Sequence, residues 1–308
     1  MALEIRDQRI VESSGLAASP RHAGVLWTHN DSGDAARLFA VGPDGGVLAT
    51  LTLAGVEARD WEAMAAGRDD AGRPALFAGD IGDNLGAWSS VSVYQVSEPA
   101  TLHDATLPAK RYELRYPDGP RDAEALLVDP RDNRLYVASK EDDGGGLYQA
   151  PARLRGDRVN LLRRIADVPP SVTDGAFSPD GRAFVLRDYS AAYVFAAPGR
   201  QVGAFALPLQ RQGESITWSP GGDAVLVGSE GPDSDIWRVG LPDKAAAPQA
   251  TPTSRPRAAP APPGGGEPTG ASPLRWASPA VLLLALAGSA ALLAARLRRR
   301  RSESRNCL

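Results

Sequence analysis

Along residues 1–243 one order of polar and apolar positions recurs five times. Each unit opens on an acidic residue set just before apolar ones: Glu12 ahead of Leu16, Glu62 ahead of Met64, Glu124 ahead of Leu126, Asp174 ahead of Phe177, and Glu214 ahead of Ile216. Most units then reach a Ser-Pro or Asp-Pro turn, at Ser19-Pro20, Asp129-Pro130, Ser178-Pro179 and Ser219-Pro220, where Pro and a following Gly or Asn set up a tight hairpin. A second apolar run follows and ends in polar residues: Val25 to Asp31, Leu76 to Asp80, Leu135 to Lys140, Ala183 to Asp188 and Val225 to Glu230. A third run carries an aromatic residue (Phe39, Tyr94, Tyr148, Tyr193, Trp237). A fourth run is present in four units only, as Val47 to Leu53, Arg111 to Tyr116, Asn160 to Ile165 and Val202 to Leu207.

Short apolar runs bounded by turn residues predict strands, and a four-strand repeat of about 49 residues predicts a propeller blade. The strand missing from the fifth unit is expected at the other end of the chain, because Leu3 to Ile10 precedes the first acid and has no repeat of its own. The expected fold is therefore all-β, a β-propeller of five four-stranded blades whose ring the N-terminal segment closes. Six blades stay open, since the second unit is long. A β-sandwich gives no reason for a recurring acid.

Three further pieces follow the propeller at 1–243. Residues 244–275 are rich in Pro, Ala and Gly without an apolar period, which predicts an extended linker. Residues 276–295 run without a charge from Trp276 to Ala295, long enough to cross about 30 Å of hydrocarbon, so a transmembrane helix is expected. Residues 296–308 hold Arg296 and Arg298 to Arg301, and basic flanks stay on the cytoplasmic side. That places the propeller outside the cell. Export needs a signal peptide, and Met1 to Arg6 is not one. Either a signal peptide is missing from this chain or the body stays inside against the charge rule. The density of the basic cluster favours the first.

Composition changes the picture in two places. Residues 244–308 carry ten basic and two acidic residues, while residues 1–243 carry 24 basic and 35 acidic. An acidic body excludes a nucleic-acid surface, which needs clustered Lys and Arg. The only cysteine, Cys307, lies in the tail, so the body has no disulfide, thiolate metal site or cysteine nucleophile.

In antiparallel blades the start of the first strand and the end of the second meet at one face of the ring. Glu12, Glu62, Glu124, Asp174 and Glu214 are expected there, together with His29, Asn30, Asp31, Asp80, Lys140, Arg187, Asp188 and Glu230. Asp60 and Asp122 precede two of the acids by two residues, an interval that shares one side of an extended segment. A ring of carboxylates repels itself unless a cation or a basic side chain compensates. Oxygen ligands with few His and no body Cys select Ca²⁺ or Mg²⁺ over zinc, with Asp80 of Gly79-Asp80-Ile81-Gly82-Asp83-Asn84 as a further ligand. The alternative is that each acid accepts backbone N–H bonds from the neighbouring blade and holds the ring together, and both can hold at once.

The body resembles six-bladed and related bacterial propellers of the phytase-like, gluconolactonase-like and quorum-regulator-regulated surface groups, in which an acid opens each blade. It is less similar to WD-repeat proteins, since no Gly-His to Trp-Asp pairing recurs. The resemblance implies a divalent cation in the central channel. Two function classes remain. One is a membrane-anchored extracytoplasmic propeller whose acidic, cation-bearing mouth binds a ligand or protein partner through Asn30, Asp31, Lys140, Arg187 and Glu230. The other is a metal-assisted hydrolase of phosphoesters or lactones with His29 or Asp188 as base. No Gly-x-Ser-x-Gly elbow, His-Glu-x-x-His helix or Rossmann glycine pattern occurs, which favours binding.

Overall fold

The computed structural model describes residues 2–242. The expected linker, transmembrane helix and basic tail therefore lie outside the described residues, and no helix among the described residues is long and apolar enough to cross a membrane.

The chain opens with β1 (Leu3–Glu4). Blade one is β2 (Ser13–Ala18), β3 (Leu26–Asn30), β4 (Arg37–Val41) and β5 (Val47–Ala54). Blade two is β6 (Trp61–Arg68), β7 (Pro74–Asp80), β8 (Val91–Ser97) and, after β9 (Ala105–Pro108), β10 (Lys110–Arg115). Blade three is β11 (Ala123–Val128), β12 (Leu135–Ser139), β13 (Gly146–Gln149) and, after β14 (Asn160–Leu161), β15 (Arg163–Asp167). Blade four is β16 (Asp174–Phe177), β17 (Phe184–Arg187), β18 (Ala191–Ala197) and β19 (Arg200–Ala206). Blade five is β20 (Gly213–Trp218), β21 (Ala224–Ser229) and β22 (Asp235–Gly240), completed by β1. The first strands touch in the cyclic order β2, β6, β11, β16, β20 and back to β2, so the ring is a closed five-bladed propeller.

Ring closure falls to the N-terminal segment, as expected. Leu3 pairs antiparallel with Ile236, Ile5 N donates to Ser234 O at 2.9 Å, and Ile5 and Ile10 are buried with Leu16 and Phe39 between blades five and one. Two short strands depart from the expected repeat: β9 lies outside it, and the run expected as one fourth strand of blade three, Asn160 to Ile165, divides into β14 on blade two and β15 on blade three. β9 adds in parallel to the outer edge of blade one, and β14 adds in parallel to the outer edge of blade two. Each covers backbone groups that an edge strand leaves open.

Five hydrophobic clusters fill the five gaps between neighbouring blades. Leu126 and Val128 of β11 pack toward blade two, while Ala125 and Leu127 pack toward blade four. Both faces of such a strand are buried, which is why it reads as a continuous apolar run. The hairpins between first and second strands close at the opposite end from the acids. Asn133 takes φ 59° in one of them, a left-handed conformation that Asn tolerates.

Candidate functional site

The first strands of blades two, three and five each carry a β-bulge near the start. Pairing runs Trp61 with Asp80 and then Ala63 with Gly79, Ala123 with Ser139 and then Ala125 with Ala138, Gly213 with Ser229 and then Ser215 with Gly228. The extra residue in each is Glu62, Glu124 or Glu214. A bulge re-aims its side chain, and these three carboxylates converge on one mouth of the channel, buried to 6%, 5% and 4% exposure.

The other two recurring acids do not share that position. Blade one bulges between Ser13 and Leu16, so the residue matching Glu62 is Ser14, whose hydroxyl donates to Glu62 O at 2.9 Å. Glu12 lies two residues earlier, half-buried, and its carbonyl accepts from Asp31 N at 3.0 Å. Blade four has no bulge, and Asp174 sits in the ladder opposite Arg187. Its wholly buried carboxylate accepts from Gly175 N and from Ile216 N of blade five, both at 2.7 Å. Asp174 thus fulfils the ring-holding alternative.

Between blades one and two, carboxylate oxygens of Asp31, Asp60 and Glu62 lie within 4.8 Å of one another. Burial first, and then the charges of Asp60, Glu230 and Glu12, push the Asp31 carboxyl up to about 8. Burial, then Glu124, Asp31 and Asp60, raise Glu62 well above the ordinary carboxylate range. Asp31 Oδ1 is buried without a hydrogen-bond partner. Asn84 Nδ2 donates to Asp60 Oδ2 at 3.1 Å. The neighbouring base is committed elsewhere: Arg59 Nε donates to Asp80 Oδ2 at 2.9 Å and its guanidinium stacks 3.8 Å over the Trp88 ring.

Across the channel the carboxylates have a cation of their own. Lys140 Nζ bonds Glu124 and lies 5.4 Å over the Tyr189 ring. Burial works against the Lys140 charge, but the Glu124 carboxylate outweighs it and raises the pKa. Burial also raises Glu214, whose Oε2 is left without a partner. Glu230 accepts from Gln212 Nε2 at 2.6 Å.

Several side chains expected at the mouth are built into the frame. His29 is fully buried between blades one and two, Nδ1 on Asn30 O at 2.9 Å and ring edge-on to Trp61 at 5.6 Å. Room for it comes from Gly15, where a Cβ would lie 2.5 Å from Nε2. Burial lowers its pKa to about 4, so it is neutral and away from the mouth. The Asp188 carboxylate caps a turn, accepting from Ser190 N and Ala191 N at 2.7 Å and from Tyr193 Oη at 2.6 Å. Burial opposes its charge, but those donors outweigh burial and lower its pKa, which weakens it as a base. Arg187, held by burial at about 10, donates to Ser215 O at 3.0 Å and Gly228 O at 3.2 Å and ties blade four to blade five. Asp80 is wholly buried and accepts from Asp60 N at 3.0 Å. Asn30 accepts from Val11 N and Glu12 N and donates to Arg9 O, pinning the loop that precedes β2.

The mouth is thus divided. Blades one, two and five bring Glu12, Asp31, Asp60, Glu62, Glu214 and Glu230, and blade three sets Glu124 against Lys140, beside Tyr189 of blade four. Oxygens bound to one Ca²⁺ at about 2.3–2.6 Å sit no more than about 5 Å apart, a limit the Asp31, Asp60 and Glu62 oxygens meet. The residues present fit a hard divalent cation at that corner. Asp60, the member that the site expectation did not name as a ligand, was visible in sequence as the acid two residues before Glu62.

No family model matches the chain, and no curated protein matches it in sequence. Among solved structures, a gluconolactonase from Xanthomonas campestris is similar at 16% identity over 78% of this chain and 89% of that one, with a TM-score of 0.43. The PQQ-bound aldose sugar dehydrogenase of Streptomyces coelicolor is similar at 13% identity over 77% of this chain and 96% of that one, with a TM-score of 0.45. At these values the likeness concerns the β-propeller fold alone.

Proposed function

We propose that this chain is a membrane-anchored, extracytoplasmic β-propeller whose acidic mouth holds a divalent cation, Ca²⁺ foremost, at Asp31, Asp60 and Glu62 and there binds a ligand or protein partner. The observation that carries the reading is the cluster itself: Asp31, whose buried Oδ1 has no hydrogen-bond partner, and Glu62, 94% removed from solvent, lie with Asp60 so that their oxygens are within 4.8 Å of one another. A buried charge in that state is costly, and a bound cation supplies the missing counter-charge. The anchor is residues 276–295, with the basic residues 296–308 inside and the linker 244–275 outside. Binding is favoured over hydrolysis of phosphoesters or lactones, because His29 is sealed from solvent and Asp188 is engaged in its turn.

Removing divalent ions from the full chain should lower its melting temperature, and millimolar Ca²⁺ should restore it. At a hundredfold excess over Kd the stabilisation is about 2.7 kcal/mol, or about 5 to 10 °C for a domain of this size. Glu62→Gln should abolish the response. Identical melting of the parent in chelator and in Ca²⁺ ends the cation reading. Protease added to intact cells should release the body, and a body protected until lysis ends the extracytoplasmic one.

A further inference from the structure

At the turn end of the channel, away from the carboxylates, the same five strands enclose a cavity of about 480 Å³. All five blades line it, through residues such as Leu16, Met64, Leu127, Phe177 and Trp218. Each blade also sets one proline there: Pro20, Pro74, Pro130, Pro179 and Pro220. Proline has no N–H, so this collar offers rigid apolar surface and no backbone donor at those points.

Ser19, Ser178 and Asn133 of the lining turn their polar groups back into the protein, while the Thr217 hydroxyl is left to the cavity. Ser19 Oγ donates to Glu98 Oε1, Ser178 Oγ to Asp180 Oδ1, and Asn133 bonds both the N–H and the carbonyl of Arg68. Arg68 is the one charged residue of the lining, and its Nη2 is spent on Pro130 O at 2.6 Å. A guest would therefore meet one exposed guanidinium, that of Arg68, and few free hydrogen-bonding groups. A volume of this size is that of a small-molecule site, which usually spans about 300–1,000 Å³.

We propose that this cavity binds an uncharged, largely apolar small molecule, independently of the cation at the other end. The apolar inner wall, with Arg68 exposed, disfavours an ionic guest, because an ion would leave its hydration shell without replacement. A second copy of the chain fits less well, because two concave collars placed face to face leave their hollows unfilled.

The test uses the full chain and a neutral photoreactive aryl diazirine as probe, with labelled peptides located by mass spectrometry. Labelling of the peptides around Met64 and Trp218 should saturate, and it should be the same in chelator and in Ca²⁺, so that loss of the cation reading leaves this one standing. Ala66→Trp, which fills the wall, should cut that labelling at least tenfold. Ala18→Glu sets a charge at the rim; it should do the same and decides the matter if the tryptophan variant loses its cooperative melt. Labelling that never saturates, or that both folded variants leave unchanged, overturns the proposal. So does a dimeric mass that Ala18→Glu returns to one chain, since the cavity would then belong to a second copy.

Discussion

The two ends of the central channel are made by the same five strands, about four residues or 13 Å apart along β6, and their chemistry is opposite. At the mouth, bulges deliver Glu62, Glu124 and Glu214 into a buried cluster of acids, against which Lys140 and Arg187 set positive charge. At the turn end the ladders are regular, the lining is mostly Ala, Leu, Met, Phe, Trp and Pro, and most of its polar groups are already paired. One end stores electrostatic repulsion that a ligand can relieve. The other holds empty apolar volume whose occupation changes no charge. Changes of ion, pH or carboxylate should therefore act on the first and leave the second alone.

The largest effect expected comes from the segment that closes the ring. Deleting residues 2–10 removes β1 and exposes the partners of Ile5 and Ile10, each buried side chain contributing about 1.5–3 kcal/mol. Denaturant unfolding should show a loss of about 3–6 kcal/mol or more. Unchanged stability would mean that the ring does not depend on that strand.

Next in size is a contrast between equivalent bulge residues. Glu124→Gln leaves the Lys140 charge poorly paired and should destabilise the fold by about 3 kcal/mol, the lower end for a buried pair because Lys140 is partly exposed. Glu62→Gln removes a repelled charge and should stabilise the cation-free protein in chelator. If both substitutions shift unfolding in the same direction, the division of the mouth into a half that holds Lys140 and a half of clustered carboxylates is wrong.

Blade number and ring closure were legible because burial on both faces turns each inner strand into an apolar run between turns, as in Leu135 to Ser139. The acids were legible as a repeat but not in register. Glu12 was matched to Glu62 by residue type, whereas the ladder matches Ser14, since a bulge adds a residue that no apolar period reports. His29 was expected at the mouth from its place near the end of a strand, and the space left by Gly15 on the neighbouring strand of its own blade draws it inside. β9 was hidden because Ala105–Pro108 is partly exposed, ends in Pro and pairs with a strand more than 50 positions earlier.

A pH series separates the ends by a smaller margin. The folded Asp31 carboxyl titrates at about 8, above the ordinary value near 4, so the folded state keeps a proton that the unfolded chain has released. Without divalent ions, stability should then fall as pH rises from about 4 to about 8, by at most about 1.4 kcal/mol per pH unit for each such group, with Glu62 acting in the same sense. Saturating Ca²⁺ should flatten that fall, because it favours the ionised carboxylates. Stability that rises over this window in chelator would show that the acids are compensated without a cation.

The smallest expected effect belongs to Asn84, exposed at the mouth, whose amide donates to Asp60 Oδ2. Asn84→Ala removes no carboxylate and no core contact, so folding stability in chelator should change by less than about 0.5 kcal/mol. What it removes is the donor that fixes one orientation of Asp60, and loss of an outer hydrogen bond to a metal ligand weakens binding by about tenfold or more where that bond is buried. For this exposed donor a three- to tenfold rise in the Ca²⁺ dissociation constant, about 0.7–1.4 kcal/mol, is expected by calorimetric titration. Labelling of the apolar cavity should be unaffected. A Ca²⁺ affinity equal to that of the parent would remove Asp60 from the ligand set and leave Asp31 and Glu62 as a pair, too few oxygens to hold a cation without help from Glu230 or Glu12.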